Sequence, residues 1–123
     1  MSKPYTADLK QTVKDNDNFR QVLFTGAQSQ LVAMSIEPGD DIGLETHDQV
    51  DQVLYAVEGD GTAMVAGKKV PFEKGSVVCV PAGTEHNVLN DGDEVLKLFT
   101  VYAPPQHEPG AIERFKAAKA SPV

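Results

Sequence analysis

Short apolar runs separated by turn residues recur along most of this chain. They predict strands over residues 19–24, 30–36, 42–47, 52–58, 62–66, 69–72, 76–80, 85–89 and 95–102. Glycine, proline, asparagine and aspartate cluster between the runs and predict a turn about every 8–12 residues. No strand pattern alternates with a long helical one, which argues against a doubly wound parallel sheet. The pattern therefore predicts an all-β barrel or sandwich.

The two ends of the chain do not follow this pattern. Residues 1–18 are polar and rich in turn residues, and they predict an arm with one short strand or helical turn around 9–13. Residues 104–123 predict a loop and then a short amphipathic C-terminal helix over 111–119. The apolar face of that helix comprises Ile112, Phe115 and Ala118. The predicted barrel domain is thus 19–103.

Composition and charge narrow the classes of function. The chain has 123 residues and a net charge of -7, and it carries no basic stripe. Nucleic acids and anionic membrane surfaces would repel such a chain, so we expect neither as a partner. No apolar run reaches the 18 or so residues that span a bilayer, and no signal-peptide pattern is present, so we expect a cytoplasmic protein. The single cysteine, Cys79, lies in the apolar run 76–80, and we expect it to be buried.

Glu45 and His47 are the first candidates for a functional site. On a strand, residues i and i+2 face the same side, so this carboxylate and this imidazole would point into one space. His86 can join them where the fold brings a second strand opposite. A carboxylate and two histidines form the ligand set of a two-histidine-one-carboxylate metal site, and they also suit a catalytic zinc with an open position.

The segment around His86 carries a motif. It runs Gly75-x5-Pro81-x-Gly83-x2-His86-x3-Asn90 and resembles the second sequence motif of the cupins at every fixed position. This resemblance, together with the segment described next, extends over about residues 20–103.

An upstream segment resembles the first cupin motif, which usually has the form His-x-His-x(3–4)-Glu-x6-Gly. In this chain the segment is Glu45-x-His47-x4-Gln52-x6-Gly59. His47 and Gly59 are in register, whereas Glu45 stands at the first histidine position and Gln52 at the glutamate position. The two exchanges together keep one carboxylate and the formal charge of the ligand set.

The resemblance to the cupins implies an all-β double-stranded β-helix, or jelly-roll barrel, that holds a divalent metal ion. It implies Glu45, His47, Gln52 and His86 as the metal ligands, with iron, zinc, manganese and nickel as candidate metals. Gln52 is either a ligand or a group outside the ligand set that orients Glu45 or His47. Without a metal, the carboxylate and the two histidines would form a buried hydrogen-bonded cluster.

Strand alternation predicts the lining of the barrel. In the strand 95–102 the inward side chains would be Leu96, Leu98, Thr100 and Tyr102, while Lys97 would face water. A mainly apolar pocket with a few polar groups is typical of a small-ligand site. Tyr102 and His107 are the candidate catalytic residues. Prolines 104 and 105 could lay His107 across the barrel mouth as a general acid or base, and an exposed loop histidine is the alternative.

Two classes of function fit these features. The first is a metal-dependent enzyme, of oxygenase, isomerase or lyase type, that acts on a small organic molecule. The second is a non-catalytic barrel that binds or senses a small ligand or a metal. A phosphorylated substrate is not favoured, because Arg20 and Arg114 are the only arginines and lie outside the motifs. We also expect a homodimer, with residues 1–25 as the interface and the arm exchanged between subunits.

Overall fold

Nine strands and one helix make up the part of the chain, residues 3–117, that a computed structural model describes. Helix α1 is Leu9–Asp15. The strands are β1 (Arg20–Thr25), β2 (Gln30–Ile36), β3 (Asp51–Glu58), β4 (Asp60–Val65), β5 (Lys68–Glu73), β6 (Val77–Val80), β7 (His86–Leu89), β8 (Leu96–Ala103) and β9 (Ile112–Glu113). Strands β1 to β8 lie where the apolar runs predict them. The run 42–47 is not a regular strand, and this part of the chain pairs only through isolated bridges at Asp41 and Glu45.

The strands form two antiparallel sheets that enclose one core. The larger sheet has the order β6-β3-β8-β2-β1-β9, and the smaller has the order β5-β4-β7. Residues 41–45 extend the smaller sheet beside β7. The core joins Val32 and Leu98 of the larger sheet to Phe72 and Val88 of the smaller one. This arrangement confirms the predicted all-β, jelly-roll fold class.

One row of side chains across the inner face of the larger sheet is polar. The strand register places Gln30 opposite Tyr102, Tyr102 opposite Gln52, and Gln52 opposite Val80. Gln30 is 1% exposed and Gln52 is 2% exposed. The predicted inward side chains of β8 are all buried, namely Leu96, Leu98, Thr100 and Tyr102. The barrel interior is therefore apolar over most of its depth and polar at one end.

Helix α1 covers the outer face of the larger sheet. Its N-cap, Asp8, accepts a hydrogen bond from the backbone nitrogen of Gln11 at 3.2 Å. The fully buried Val13 packs against Ala33 and Val57, which point away from the barrel interior. The sequence predicts a strand or a helical turn here, and the structure has the helix. Among residues 3–117, no helix is long and apolar enough to cross a membrane.

The prediction that Lys97 faces water is wrong. It lies on the outer face of β8, as alternation requires, but it is only 9% exposed and does not face water. Its Nζ donates hydrogen bonds at 2.7 Å to the backbone oxygens of Lys14 and Asn16. The carbonyls at the end of a helix lack partners within the helix and favour a positive charge. Lys97 therefore caps the C-terminal end of α1 against the sheet.

The predicted C-terminal helix is not present over 111–117, and residues 118–119 of that prediction lie outside the described part of the chain. Ile112–Glu113 instead forms β9, which pairs with the edge of β1. The backbone nitrogens of Phe19 and Val22 donate to the oxygens of Arg114 and Ala111 at 3.2 Å and 2.9 Å. Residues 111–117 do not form a helix despite their helix-forming composition, because the edge of β1 offers unpaired backbone groups with which this segment can pair. The described short helix is at the N-terminal end.

Cys79 is exposed, so the prediction of a buried cysteine is wrong. Strand β6 lies at the edge of the larger sheet and alternates in exposure along its length. Val80 points into the core, whereas Val77 is 56% exposed on the same side as Cys79. An unbroken apolar run suggests burial on both faces, but an edge strand here buries only one.

Candidate metal centre

Glu45 and His86 face each other across the edge of the smaller sheet. The backbone nitrogen of each residue donates to the backbone oxygen of the other, both at 2.9 Å, in an antiparallel bridge. Residues directly opposite in such a pair carry their side chains on the same face. The backbone oxygen of His47 accepts from the nitrogen of Gly83 at 2.8 Å, which ties His47 to the turn before β7. The backbone thus brings three predicted ligands to one place.

These three side chains form a compact set of donor atoms. Nε2 of His47 is 2.9 Å from Oε2 of Glu45, and the ring centroids of His47 and His86 are 5.5 Å apart. One ligand atom from each residue can be chosen so that all lie within 4.8 Å of one another. Two atoms bound to one ion at about 2.1 Å lie at most about 4.2 Å apart. Side-chain shifts of a few tenths of an ångström would therefore admit an ion.

The fourth predicted ligand, Gln52, meets His86 inside the barrel. Nδ1 of His86 is 2.9 Å from the backbone oxygen of Thr84, which can only accept, so Nδ1 carries the proton. In the neutral ring, Nε2 is then an acceptor, and it lies 2.9 Å from Oε1 of Gln52. Nε2 of Gln52 donates to the hydroxyl of Thr100 at 3.0 Å. An imidazole nitrogen and an amide oxygen are both ligand atoms for a divalent cation. The donor set fits a divalent metal.

The chain after β8 folds back across this end of the barrel. We call residues 104–117 the C-terminal strap. The buried side chain of Gln30 holds it: Nε2 donates to the backbone oxygen of His107 at 2.7 Å, and Oε1 accepts from the backbone nitrogens of Gln106 at 3.2 Å and His107 at 2.9 Å. An amide that makes these bonds from a fully buried position fixes both the path of the strap and the placement of His107.

His107 packs against Tyr102 and is not a free loop residue. The ring centroids are 5.0 Å apart in an edge-to-face arrangement, and the Tyr102 ring is 6.1 Å from that of His47. Burial, and then the charge of Arg20, lower the pKa of His107 below its usual 6.5. Burial raises the pKa of Tyr102 to about 12, against the opposing effect of Arg20. Near neutral pH the pair is therefore a neutral imidazole beside a protonated phenol.

Residues 32–102 match the family model for the cupin domain. The chain belongs to the cupin family. This cupin is 40% identical over 121 residues to the uncharacterized protein YrkC of Bacillus subtilis, which is 94% of this chain and 65% of YrkC. The chain thus spans a little under two thirds of the length of that relative.

Solved structures agree with the cupin assignment. The crystal structure of BH2720 from Bacillus halodurans is 37% identical and superposes with a TM-score of 0.89, over 91% of this chain and 89% of that chain. A predicted oxalate decarboxylase from Thermotoga maritima is 26% identical, with a TM-score of 0.61 over 64% of this chain and 69% of that chain.

The sequence analysis of this cupin did not identify Arg20 or Gln30 as parts of the site. Arg20 is 8% exposed, and its Nη1 is 2.9 Å from each carboxylate oxygen of Glu113 in the strap. Its positive charge also lowers the pKa of Tyr102 against the larger effect of burial. Strand alternation could have predicted that Arg20 faces inward, because it lies two positions before the core residue Val22.

Proposed function

We propose that this cupin binds a divalent metal ion through Glu45, His47, His86 and Gln52 and uses it as an enzyme that acts on a small organic molecule. The observation that carries the proposal is that one ligand atom each from Glu45, His47 and His86 lie within 4.8 Å of one another, with the side-chain amide of Gln52 2.9 Å from Nε2 of His86. The Glu45 carboxylate is 2.9 Å from Nε2 of His47 at the edge of the barrel, and His86 and Gln52 are buried beside it. Imidazole nitrogen, carboxylate oxygen and amide oxygen are all ligands of divalent cations, so one ion can bind these groups together.

The composition of the ligand set leaves room for a substrate. With at most four ligands from the protein, a metal of coordination number five or six keeps positions for water or substrate. The bound metal would supply Lewis acidity, or oxygen chemistry if it is iron. Zinc, manganese and nickel are the other candidates, because imidazole and carboxylate ligands suit all of these ions.

The remaining groups would bind the substrate and move protons. The hydroxyl of Tyr102 stays protonated and can donate a hydrogen bond to a substrate oxygen. The neutral ring of His107 can accept a proton and return it. The backbone oxygen of Thr84 keeps Nε2 of His86 free for the metal. The strap over the barrel end would keep bulk water from these groups.

Among oxygenase, isomerase and lyase reactions, a decarboxylation is the first to test. The support is the likeness to the Thermotoga maritima protein, which is described as a predicted oxalate decarboxylase and is 26% identical to this chain. Loss of carbon dioxide from a carboxylate is a lyase reaction that a metal and a nearby proton donor can assist.

Metal analysis of protein purified without a metal-binding tag tests the proposal. We expect close to one equivalent of a first-row divalent metal in the parent protein and loss of it in Glu45→Ala and His86→Ala. Glu85→Ala is the matched control, because Glu85 is exposed and adjacent to His86. The element found would separate oxygen chemistry from Lewis-acid chemistry. Oxygen uptake and carbon dioxide release with small organic acids would then test turnover.

Absence of metal would overturn the proposal if added iron, zinc, manganese and nickel also left the melting temperature unchanged. The barrel would then be a non-catalytic module for a small ligand. Retention of metal in both ligand variants would equally contradict it, because the ion would have to lie elsewhere on the chain.

A further inference from the structure

Arg20 and Glu113 form an ion pair whose arginine points into the barrel. The two residues are direct cross-strand partners of β1 and β9. Both carboxylate oxygens of Glu113 are 2.9 Å from Nη1 of Arg20, and the arginine side chain is 10% exposed. Nε of Arg20 is buried and has no hydrogen-bond partner among the described residues. The guanidinium therefore has donor capacity that Glu113 does not use.

This pair is adjacent to the proposed catalytic groups. The positive charge of Arg20 lowers the pKa of both Tyr102 and His107, after the larger effect of burial on each, so the guanidinium lies close to these two side chains. His107 and Glu113 line one cavity of about 430 Å³, whose other lining residues lie within 105–111 of the strap. The Glu113 side chain is 38% exposed and can leave the guanidinium for water, whereas Arg20 cannot follow it. An entering anion would thus meet a fixed cation with a replaceable partner.

The net charge around this end of the barrel also favours binding of an anion. Glu45 and Glu113 are negative and Arg20 is positive, so a bound divalent ion leaves one unit of positive charge in excess. If the carboxylate of a ligand replaces that of Glu113 on Arg20, the guanidinium stays paired while Glu113 returns to water. Buried charges are stable only when they are paired, and arginine binds carboxylates with a geometry that other side chains do not match.

We propose that Arg20 is the substrate-binding residue of this site and that it selects a small molecule with a carboxylate group, which binds in place of Glu113. The proposal rests on the proposed function for the metal, and it adds the class of substrate. Glu113 then acts as an internal substitute that keeps Arg20 paired while the site is empty. A structural cross-link between β1 and the strap is the competing explanation.

Binding of propionate to the zinc-loaded protein distinguishes the two explanations. Propionamide is the uncharged match, and the ring proton shifts of Tyr102 and His107 follow binding by NMR. We expect Arg20→Gln to weaken propionate binding about tenfold or more and Glu113→Gln to strengthen it by a similar factor. Propionamide binding should change less than twofold. Arg114→Gln and Glu94→Gln are the matched controls, since both residues are exposed and lie outside this pair and its cavity.

The two variants are expected to change propionate affinity in opposite directions. A purely structural cross-link would not produce this result. If both variants shift propionate and propionamide in the same direction, the pair only holds the strap, and the proposal is wrong. Equal propionate affinity in all variants would overturn it as well. Should Arg20→Gln fail to fold, Arg20→Lys keeps the charge without the fork of donors and is expected to weaken propionate binding severalfold. Zinc content is measured on each sample, so that failure of metal binding is seen separately from failure of this inference.

Discussion

Substitution of Gln30 by methionine tests whether the C-terminal strap is held by one buried amide. Methionine has a similar length and fits an apolar barrel, but it cannot hydrogen bond with the strap. The change removes the bonds to the backbone of Gln106 and His107, and it removes the bond from Nε2 of Gln30 to the hydroxyl of Thr25 at 2.9 Å.

The expected loss can be worked from these bonds. Each hydrogen bond contributes about 1 kcal/mol net, and donors or acceptors left buried without partners add a further penalty. The four bonds together give about 4 kcal/mol, and the penalty would add to this if the strap stayed in place. Detachment of the strap lets its backbone groups bind water, so it limits the measured loss. We therefore expect a loss of about 2–4 kcal/mol, against a stability of about 5–15 kcal/mol for a domain of this kind.

Urea unfolding and amide hydrogen exchange measure the two parts of this effect. The free energy of unfolding should fall by the stated amount, and amides of residues 106–113 should lose protection while those of β2 and β8 keep it. Gln28→Met is the matched control, because Gln28 is exposed and near Gln30 in the chain. A Gln30→Met protein within about 0.5 kcal/mol of this control, with unchanged exchange in the strap, would refute the reasoning.

Three other predictions follow from the structure, and a fourth, the homodimer, comes from the sequence analysis. Gln52→Glu should bind zinc more tightly and Gln52→Leu about 10–100-fold more weakly, as measured by competition with a chelator; equal affinities would mean that the side chain at 52 does not ligate. In metal-free protein the pKa of His107 is below its unfolded value of 6.5, so the unfolded chain takes up a proton first as the pH falls. Stability is therefore lost below about pH 6.5, and urea midpoints at several pH values should show a smaller loss in His107→Gln. Cys79 is exposed and should react with one equivalent of a thiol reagent in the folded protein. Light scattering should give a particle of twice the 13.2 kDa chain mass, and a monomer would contradict the expected homodimer.

Local patterns predicted the fold because the chain's turns and strand periods agree with it. Glycines and prolines end the strands, and alternation along β8 identified every inward residue. The candidate metal ligands were also accessible to sequence reasoning, because Glu45 and His47 are two positions apart and His86 lies at a motif position, although residues 42–47 are not a regular strand. Their meeting required only that β7 lie beside residues 41–45, which the jelly-roll topology supplies.

Contacts between distant elements explain the predictions that failed. Strand alternation places Lys97 on the outer face of the sheet. Whether water or helix α1 covers that face depends on where the N-terminal arm packs. Residues 111–117 have helical composition, yet the free edge of β1 offers them hydrogen bonds that the sequence cannot reveal. Each outcome was decided by a partner far away in the chain.

This chain has a carboxylate at position 45 and an amide at position 52, where the usual cupin motif has histidine and glutamate. These two differences affect the stability of the protein when no metal is bound. Gln52 is 2% exposed, whereas the Glu45 side chain is 32% exposed at the edge of the barrel. A carboxylate at position 52 would be buried and uncompensated whenever the metal left, while an amide there stays hydrogen bonded to Thr100. The charged ligand instead lies where water can reach it. The metal-free barrel should therefore stay folded, and its melting temperature should rise with metal concentration as mass action requires, without metal-dependent folding.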